Sequence, residues 1–346
     1  DLRHVDVAII GAGPAGSVCG YLLKKAGMDC LLVDHASFPR DKVCGGGLTP
    51  KAWHLLERLM PRLQYSYQPI DHISLFFENV YQGDLHITSE ERMIRIVQRK
   101  EFDDLLLRRY KEAGGNFLKG AFVGFTEDKS SLDYPVTVTL RSGEQFACRY
   151  LVGADGAVSQ VRRQIDPDSS NGILSLEQYQ ALPANREQKI TIGMSRKFKH
   201  GYFYVFPNNL HNVVGFCDMK VDRFRFQSVA LEQGYPLDSD LRIRGAFIPR
   251  RCVVSPSSRI ILIGDAGGFP NRVSYEGLYY AFATAENACR AITEGKDFRR
   301  VNKIIFRKKR KEDFLDWLVY SRFGLYVIKR IAHHPGFLSK CYNFFV

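Results

Sequence analysis

The segment Gly11-Ala12-Gly13-Pro14-Ala15-Gly16 follows the apolar run Val5-Asp6-Val7-Ala8-Ile9-Ile10 and opens a helical pattern ending near Gly27. Glycines at this spacing, where a strand hands over to a helix, suit a pyrophosphate. Gly11 permits the tight turn, Gly13 lets the backbone approach the phosphates, and Gly16 allows close helix packing, with Ala15 in the same turn. The helix N-terminus beyond them faces the negative charge. A second apolar run, Cys30 to Val33, ends in Asp34, at about the right distance to accept hydrogen bonds from an adenosine ribose. Alone, this fingerprint does not separate NAD from FAD.

A second segment makes the separation. Arg259-Ile260-Ile261-Leu262-Ile263 reads as a buried strand, Gly264-Asp265-Ala266-Gly267-Gly268 as its turn, and Tyr275 to Thr293 as a helix with an apolar, small-residue face. Asp265 is then placed to accept a hydrogen bond from a ribityl hydroxyl. The following helix aims its positive end at a flavin pyrimidine, where charge accumulates on reduction. Tyr150 to Gly153 is another apolar strand, and it runs into the turn Ala154-Asp155-Gly156. Three strand ends thus converge on one long dinucleotide, FAD, with Asp155 and Gly156 among its contacts.

These motifs demand an α/β fold in which a Rossmann-like FAD-binding domain is interrupted by an antiparallel-sheet substrate domain. Residues 1–60, 94–165 and 258–297 are expected to form the discontinuous FAD-binding domain. Residues 61–93 and 166–257 alternate as strands do, for example in Ile190-Thr191-Ile192 and Tyr202-Phe203-Tyr204-Val205-Phe206, and should form a sheet over the flavin ring. Residues 298–346 read as a C-terminal helical segment. A helix is expected over Arg99 to Gly114, and strands over Phe117–Phe125, Val136–Leu140 and Gln145–Cys148. Phe198, Tyr202, Phe203, Tyr204, Phe206 and Phe216 suit either an apolar tunnel or an ordinary sheet core.

A chain of 346 residues can bury a large core and carry about two lobes. The eight cysteines are scattered, without a C-x-x-C pair or metal-ligand spacing with the nine histidines, so neither a structural metal nor a disulfide framework is expected. Much of the formal charge of +12 lies between Arg299 and Lys311. Such a run makes a solvated helix face, or draws the chain to an anionic membrane or a phosphorylated substrate. Phe314, Trp317, Phe323 and Tyr326, interleaved with Lys329 and Arg330, suit an interfacial helix or one packed on the body. Modules that stack bases or read grooves are missing, so nucleic acid is not expected as a partner. Without a signal segment or a membrane-spanning apolar run, the expected place is the cytoplasm or the membrane surface.

The motifs together resemble the FAD-dependent geranylgeranyl reductases, within the larger superfamily shaped like aromatic hydroxylases. The likeness runs through GAGPAG, RDKVCGGGLTP at Arg40–Pro50, QRKEFDDLLL at Gln98–Leu107, GADG at Gly153–Gly156, YFYVFP at Tyr202–Pro207 and GDAGGFPNRVSYEGLYYA at Gly264–Ala281. The most family-specific piece is KVCGGGL at Lys42–Leu48. The resemblance implies saturation of isolated double bonds in a prenyl chain carried on an alcohol, diphosphate, ether lipid or quinone. It implies flavin contacts at Lys42, Cys44, Gly45, Gly46, Arg99, Gly277 and Leu278. The reductant would be NAD(P)H, or a ferredoxin or partner reductase, since only one dinucleotide fingerprint is present.

Hydride addition to one alkene carbon needs a proton at the other. Cys44 either positions the alkene and relays that proton or packs as a small residue under its glycine loop. Tyr202 and Tyr204 are alternative donors, and Tyr204 and Phe206 are expected to touch substrate. Two departures from the family pattern stand near the flavin: Arg272 where the family has proline, and Tyr275 where it has glycine. Arg272 is expected to stabilise anionic reduced flavin or grip an anionic head group, with a surface ion pair as the alternative. Tyr275 should reshape the substrate pocket. A monooxygenase on the same fold is the rival reading, and a lipid or quinone carrier with structural FAD is another. A halogenase is disfavoured, because Tyr202 and Tyr204 stand where that family has paired tryptophans.

Overall fold

The computed structural model describes residues 2–169, 172–182 and 188–345. The first sheet carries the dinucleotide motifs. Asn116–Lys119, Cys30–Asp34, Arg3–Ile10 and Gln145–Gly153 run parallel in that order. Gln145–Gly153 is one long strand where the sequence suggests two, because neither glycine nor proline interrupts it between Cys148 and Tyr150. Its first half pairs antiparallel with Val136–Leu140, and its last residues pair parallel with Ile260–Leu262. The expected Phe117–Phe125 strand is instead two, Asn116–Lys119 and Phe122–Glu127, divided at Gly120 and belonging to different parts of the sheet.

Both faces of this sheet are covered, which is why its strands are near-continuous apolar runs. Val7 and Ile9 join the cluster that contains Val18, Leu106 and Ala285, whereas Ala8 and Ile10 join Val136, Val138 and Phe146. The helix Pro14–Lys25 lies against Leu278–Thr293, whose buried face is Ala281, Ala285, Ala288 and Ala291. Small side chains there allow the close approach. The second helix starts at Leu278 and not at Tyr275, since Tyr275 has φ 57° and cannot begin a right-handed helix.

The second sheet runs Ile243–Pro249, Gly172–Ala181, His211–Asp218, Tyr202–Pro207, Lys189–Met194, His72–Phe77, Val80–His86. Its pairs are antiparallel except that joining Lys189–Met194 to His72–Phe77. The period of two in Tyr202–Pro207 divides the aromatic residues by face. Phe203 packs with Phe198, Phe216 and the helix residue Phe226 in a core behind the sheet. Tyr202, Tyr204 and Phe206 face the interior cavity. Half of the residues suited to a tunnel therefore belong to the ordinary sheet core. A small sheet of Gly47–Leu48, Ile94–Ile96 and Gln68–Ile70 lies between the two.

The C-terminal helices Lys303–Val319, Arg322–Ile331 and Pro335–Phe345 form a wall of the molecule. Leu318, Phe323, Val327, Ile331 and Leu338 line the cavity, and Tyr342 is buried with Ile70 and Ile190. Among the described residues no helix is long and apolar enough to cross a membrane.

Candidate active site

The strand ends meet as the motifs require. Ala154 N donates to Ile10 O at 2.8 Å, and Ile263 N donates to Gly153 O at 3.0 Å. Gly11 has φ 103°, and a Cβ there would lie 2.3 Å from the Ala154 carbonyl oxygen, so only glycine fits. A Cβ on Gly264 would come within 3.0 Å of the Ala15 methyl, which puts the two glycine motifs side by side. Arg162, which sequence reasoning missed, fastens this junction by donating to the Asp265 and Ala266 carbonyls at 2.9 and 3.2 Å.

A continuous cavity of about 1590 Å³ starts at these turns. A single small-molecule site usually occupies about 300–1,000 Å³, so there is room for a dinucleotide and a second, elongated ligand. The N-terminal amides of Pro14–Lys25 carry no side-chain cap, and no acidic residue stands in its first turn, as a phosphate site needs. Arg40 supplies a cation at the same place, its guanidinium 3.4 Å from where a Cβ of Gly13 would be. It is held by buried Asp103 at 3.3 Å, and Arg99 grips the same carboxylate at 2.7 and 2.9 Å. Burial opposes the Arg99 charge, yet Asp103 and Cys44 outweigh it and hold its pKa above the ordinary guanidinium value. Arg40 was legible only as part of a motif.

Asp34 accepts from the amides of Ala12 and Ala36 at 2.7 and 2.8 Å, which locks the glycine turn. Each carboxylate oxygen has a second lone pair, so Asp34 retains acceptor capacity for a ribose. Asp265 lines the cavity beside Gly277, and Leu278 opens the helix aimed at that end. Asp155 also borders the cavity, but its carboxylate caps the helix Gln160–Ile165, accepting from the Ser159 hydroxyl and from Gln160 N at 2.7 Å. Burial raises its pKa. Gly156, with φ 76°, shares that turn. These residues fit FAD.

At the other end Lys42, Cys44, Gly45 and Gly46 line the cavity opposite Tyr202, Tyr204 and Phe206. Gly46 N donates to Cys44 Sγ at 3.3 Å, and a Cβ on Gly45 would lie 2.8 Å from the Phe206 ring. The Tyr202 hydroxyl donates to Ser274 O at 2.6 Å, and its ring stacks on Tyr275 at 5.9 Å. Tyr275 is thereby part of the wall, with its own hydroxyl bonded to His200 O. The Tyr204 hydroxyl donates to Glu177 Oε1 at 2.6 Å. Nothing in its local sequence marks Glu177, which becomes visible only when the strands are paired.

Arg272 is a correction. It is 2 % exposed and does not border the cavity. Its guanidinium donates to Gly268 O, Pro270 O and Asp313, and approaches Cys252 Sγ at 3.3 Å. With these partners it ties the GDAGG turn to the helix Lys303–Val319 and has no face for flavin or head group. The basic run is likewise not wholly solvated: Lys309 is buried, donating to Glu312 at 2.7 Å and lying 3.2 Å from the Tyr280 ring centre. Burial pulls its pKa down to about 7 against the pull of Glu312.

No metal-ligand spacing is legible in the sequence, yet His72, Asp84 and His86 offer ligand atoms within 4.8 Å of one another. A 3.0 Å His72–Asp84 contact, a Ser74–Asp84 hydrogen bond and a tilted contact of the two imidazoles at 4.3 Å account for the cluster. It lies on a sheet-edge hairpin.

Comparison with known proteins agrees with this geometry. Residues 4–216 match the FAD binding domain family. A menaquinone reductase from Mycolicibacterium smegmatis is 30% identical, the match covering 84% of this chain and 77% of that protein. A geranylgeranyl diphosphate reductase from Rhodobacter capsulatus is 27% identical, over 83% and 74% of the two chains. Among solved structures, a geranylgeranyl bacteriochlorophyll reductase-like protein from Thermoplasma acidophilum superposes with TM-score 0.72 at 18% identity, covering 100% of both chains. A probable FAD-dependent monooxygenase from Pseudomonas aeruginosa reaches TM-score 0.73 at 15% identity, covering 99% and 100%. The structural likenesses establish the fold. With an FAD cradle assembled from three strand ends and a family match over more than half of its length, this chain belongs to the FAD-binding-domain flavoprotein oxidoreductases, in their geranylgeranyl reductase-like group.

Proposed function

We propose that this oxidoreductase saturates carbon–carbon double bonds in a prenyl chain borne by a lipid, diphosphate or quinone. The observation that carries the reading is the extension of the cavity beyond the dinucleotide cradle into an apolar channel. Ile73, Leu75, Ile190 and Ile192 line it on the sheet, and Val327 and Ile331 on the helices. Such walls hold isoprene units by burial alone. FAD, once reduced, supplies hydride to the alkene; the protein holds the double bond, excludes water and provides a proton. Gly11, Gly13, Arg40, Asp34 and the N-terminus of Pro14–Lys25 hold the adenosine and phosphate end, and Asp265, Gly277 and Leu278 the ring end. Cys44, Tyr202 and Tyr204 flank the reacting carbons. The kinship with menaquinone and geranylgeranyl diphosphate reductases supports the same chemistry.

The test is anaerobic reduction of the flavin followed by geranylgeranyl diphosphate or a geranylgeranylated lipid. Flavin reoxidation with a gain of two hydrogens per double bond is the expected result. The fold shared with a monooxygenase favours one rival, in which reduced flavin persists until oxygen is admitted and the product gains oxygen. NAD(P)H docking transiently, or a ferredoxin or partner reductase, supplies the electrons.

The C-terminal wall supports delivery of substrate from a membrane surface. Phe314, Trp317 and Tyr326 are exposed on the same helices as exposed Arg307, Arg310, Lys311 and Arg330, while the inner faces of those helices line the cavity. Exposed aromatic and basic residues on these helices match an anionic lipid interface.

A further inference from the structure

We infer that Glu177 is the acid that recharges Tyr204, so that the two residues together, and not the tyrosine alone, hand a proton to the alkene. The inference rests on the double-bond reduction proposed above.

Glu177 and Tyr204 sit on strands separated by a third, and Gly215 of that third strand is paired with both of them. A Cβ on Gly215 would lie 2.1 Å from Tyr204 Cζ, so the missing side chain is what lets the ring lie across the strand. Its hydroxyl reaches Glu177 Oε1 at 2.6 Å and Ser175 Oγ at 2.8 Å. Glu177 is 1% exposed, and its Oε2 takes no hydrogen bond among the described residues. Both residues border the cavity near Cys44.

A buried carboxyl in this position favours its neutral form. Burial pushes the Glu177 pKa up to about 7, against the opposing pull of the Tyr204 hydroxyl, the Cys44 amide, Lys42 and Arg99. Other titratable or charged groups facing it are Tyr179 on its own strand, Cys217 on the next, and Arg244 on the strand paired at its other edge. Tyr204 is pushed the other way for proton release: burial and the Glu177 charge raise its pKa well above the ordinary phenol value. Tyrosinate is therefore a poor product.

The balance closes when both act. One alkene carbon takes the hydride that reduced flavin supplies, and the other takes the Tyr204 hydroxyl proton. With Glu177 protonated, its carboxyl O–H donates to the Tyr204 oxygen, the reverse of the bond made to the ionised carboxylate, and the Tyr204 oxygen takes that proton in the same step. Two C–H bonds form and a new O–H forms on Tyr204, while the hydride donor's bond to hydrogen, the C=C π bond and one O–H bond on each residue break. The charge comes to rest as the Glu177 carboxylate, near Lys42 and Arg99, and solvent reprotonates it. Glu177 acts through Tyr204 and is a positioning and relay residue.

The test compares wild type, Glu177→Gln and Tyr204→Phe, each loaded with FAD and reduced anaerobically, in single turnover with geranylgeranyl diphosphate. The infrared carbonyl band of the protonated carboxyl is followed as a second readout. General-acid contributions are about 10²–10⁴-fold, so Glu177→Gln should slow substrate-dependent reoxidation by at least ~100-fold while flavin content stays the same. The wild-type rate should fall as pH rises through about 7, and that limb should vanish in Glu177→Gln together with a carboxyl band titrating over the same range. A wild-type rate and pH limb in Glu177→Gln overturn the inference alone. A wild type that does not reduce the prenyl chain overturns the functional reading and this inference with it. Should Glu177→Gln fail to fold, a carboxyl band already lost well below neutrality, or full activity in Tyr204→Phe, overturns it.

Discussion

At position 275 a tyrosine occupies a backbone conformation that suits glycine, with φ 57°. Left-handed backbone costs a residue with a Cβ about 1–2 kcal/mol, and the stack on Tyr202 and the hydroxyl bond to His200 O offset it. The two effects oppose, so Tyr275→Gly should change stability by less than about 1 kcal/mol while enlarging the cavity. Thermal melting and the substrate range check both halves. Arg272→Ala should instead lower the melting temperature, by about 3 kcal/mol or more of stability, because it strips a partner from the Gly268 carbonyl inside the protein. The flavin spectrum and potential should not move, in contrast to the expectation drawn from its position in the motif. Glu177 gives a pH dependence of stability. Its folded pKa is raised from 4.5 to about 7, so its contribution is fully present below 4.5 and is lost as pH rises through about 7. Wild type should lose melting temperature relative to Glu177→Gln over that window and not beyond it.

The elements bearing the cofactor motifs were legible because each is a strand, a glycine turn and a helix in sequence order, and local chemistry alone demands that geometry. Gly11→Ala tests it: the added Cβ meets the Ala154 carbonyl oxygen at 2.3 Å, so the protein should purify without flavin, read as the ratio of flavin to protein absorbance. The second sheet was legible as alternation but not as pairing. Tyr202-Phe203-Tyr204-Val205-Phe206 announces a period of two, yet which face meets the cavity depends on the helix Arg223–Glu232 packing behind it. For the same reason the Glu177–Gly215–Tyr204 row, drawn from three strands, had no local signature.

Across the whole molecule, the C-terminal helices both close the cavity and present an aromatic, basic outer face. The protein should cosediment with phosphatidylserine-containing vesicles at low salt and release them as salt is raised, since surface charge attraction is screened within about 10 Å at 0.1 M. Phe314→Ser combined with Trp317→Ser should weaken binding even at low salt. No loss of vesicle binding in that double variant would remove the membrane reading and leave the flavin chemistry untouched.

By itself the sequence determined the cofactor and the nature of the cradle, because glycine turns, strand ends and a ribose-facing acid act through backbone geometry that neighbouring residues dictate. It also determined that residues 61–93 and 166–257 alternate as a sheet and that the C-terminal segment is helical. Only the tertiary structure decided which polar groups meet. Arg272 spends its donors on buried carbonyls and Asp313, Lys309 turns inward onto Tyr280, and Glu177 reaches Tyr204 across a strand left open by glycine. Such contacts join residues distant along the chain, and their burial, which sets charge and protonation, exists only once the sheets and helices have packed.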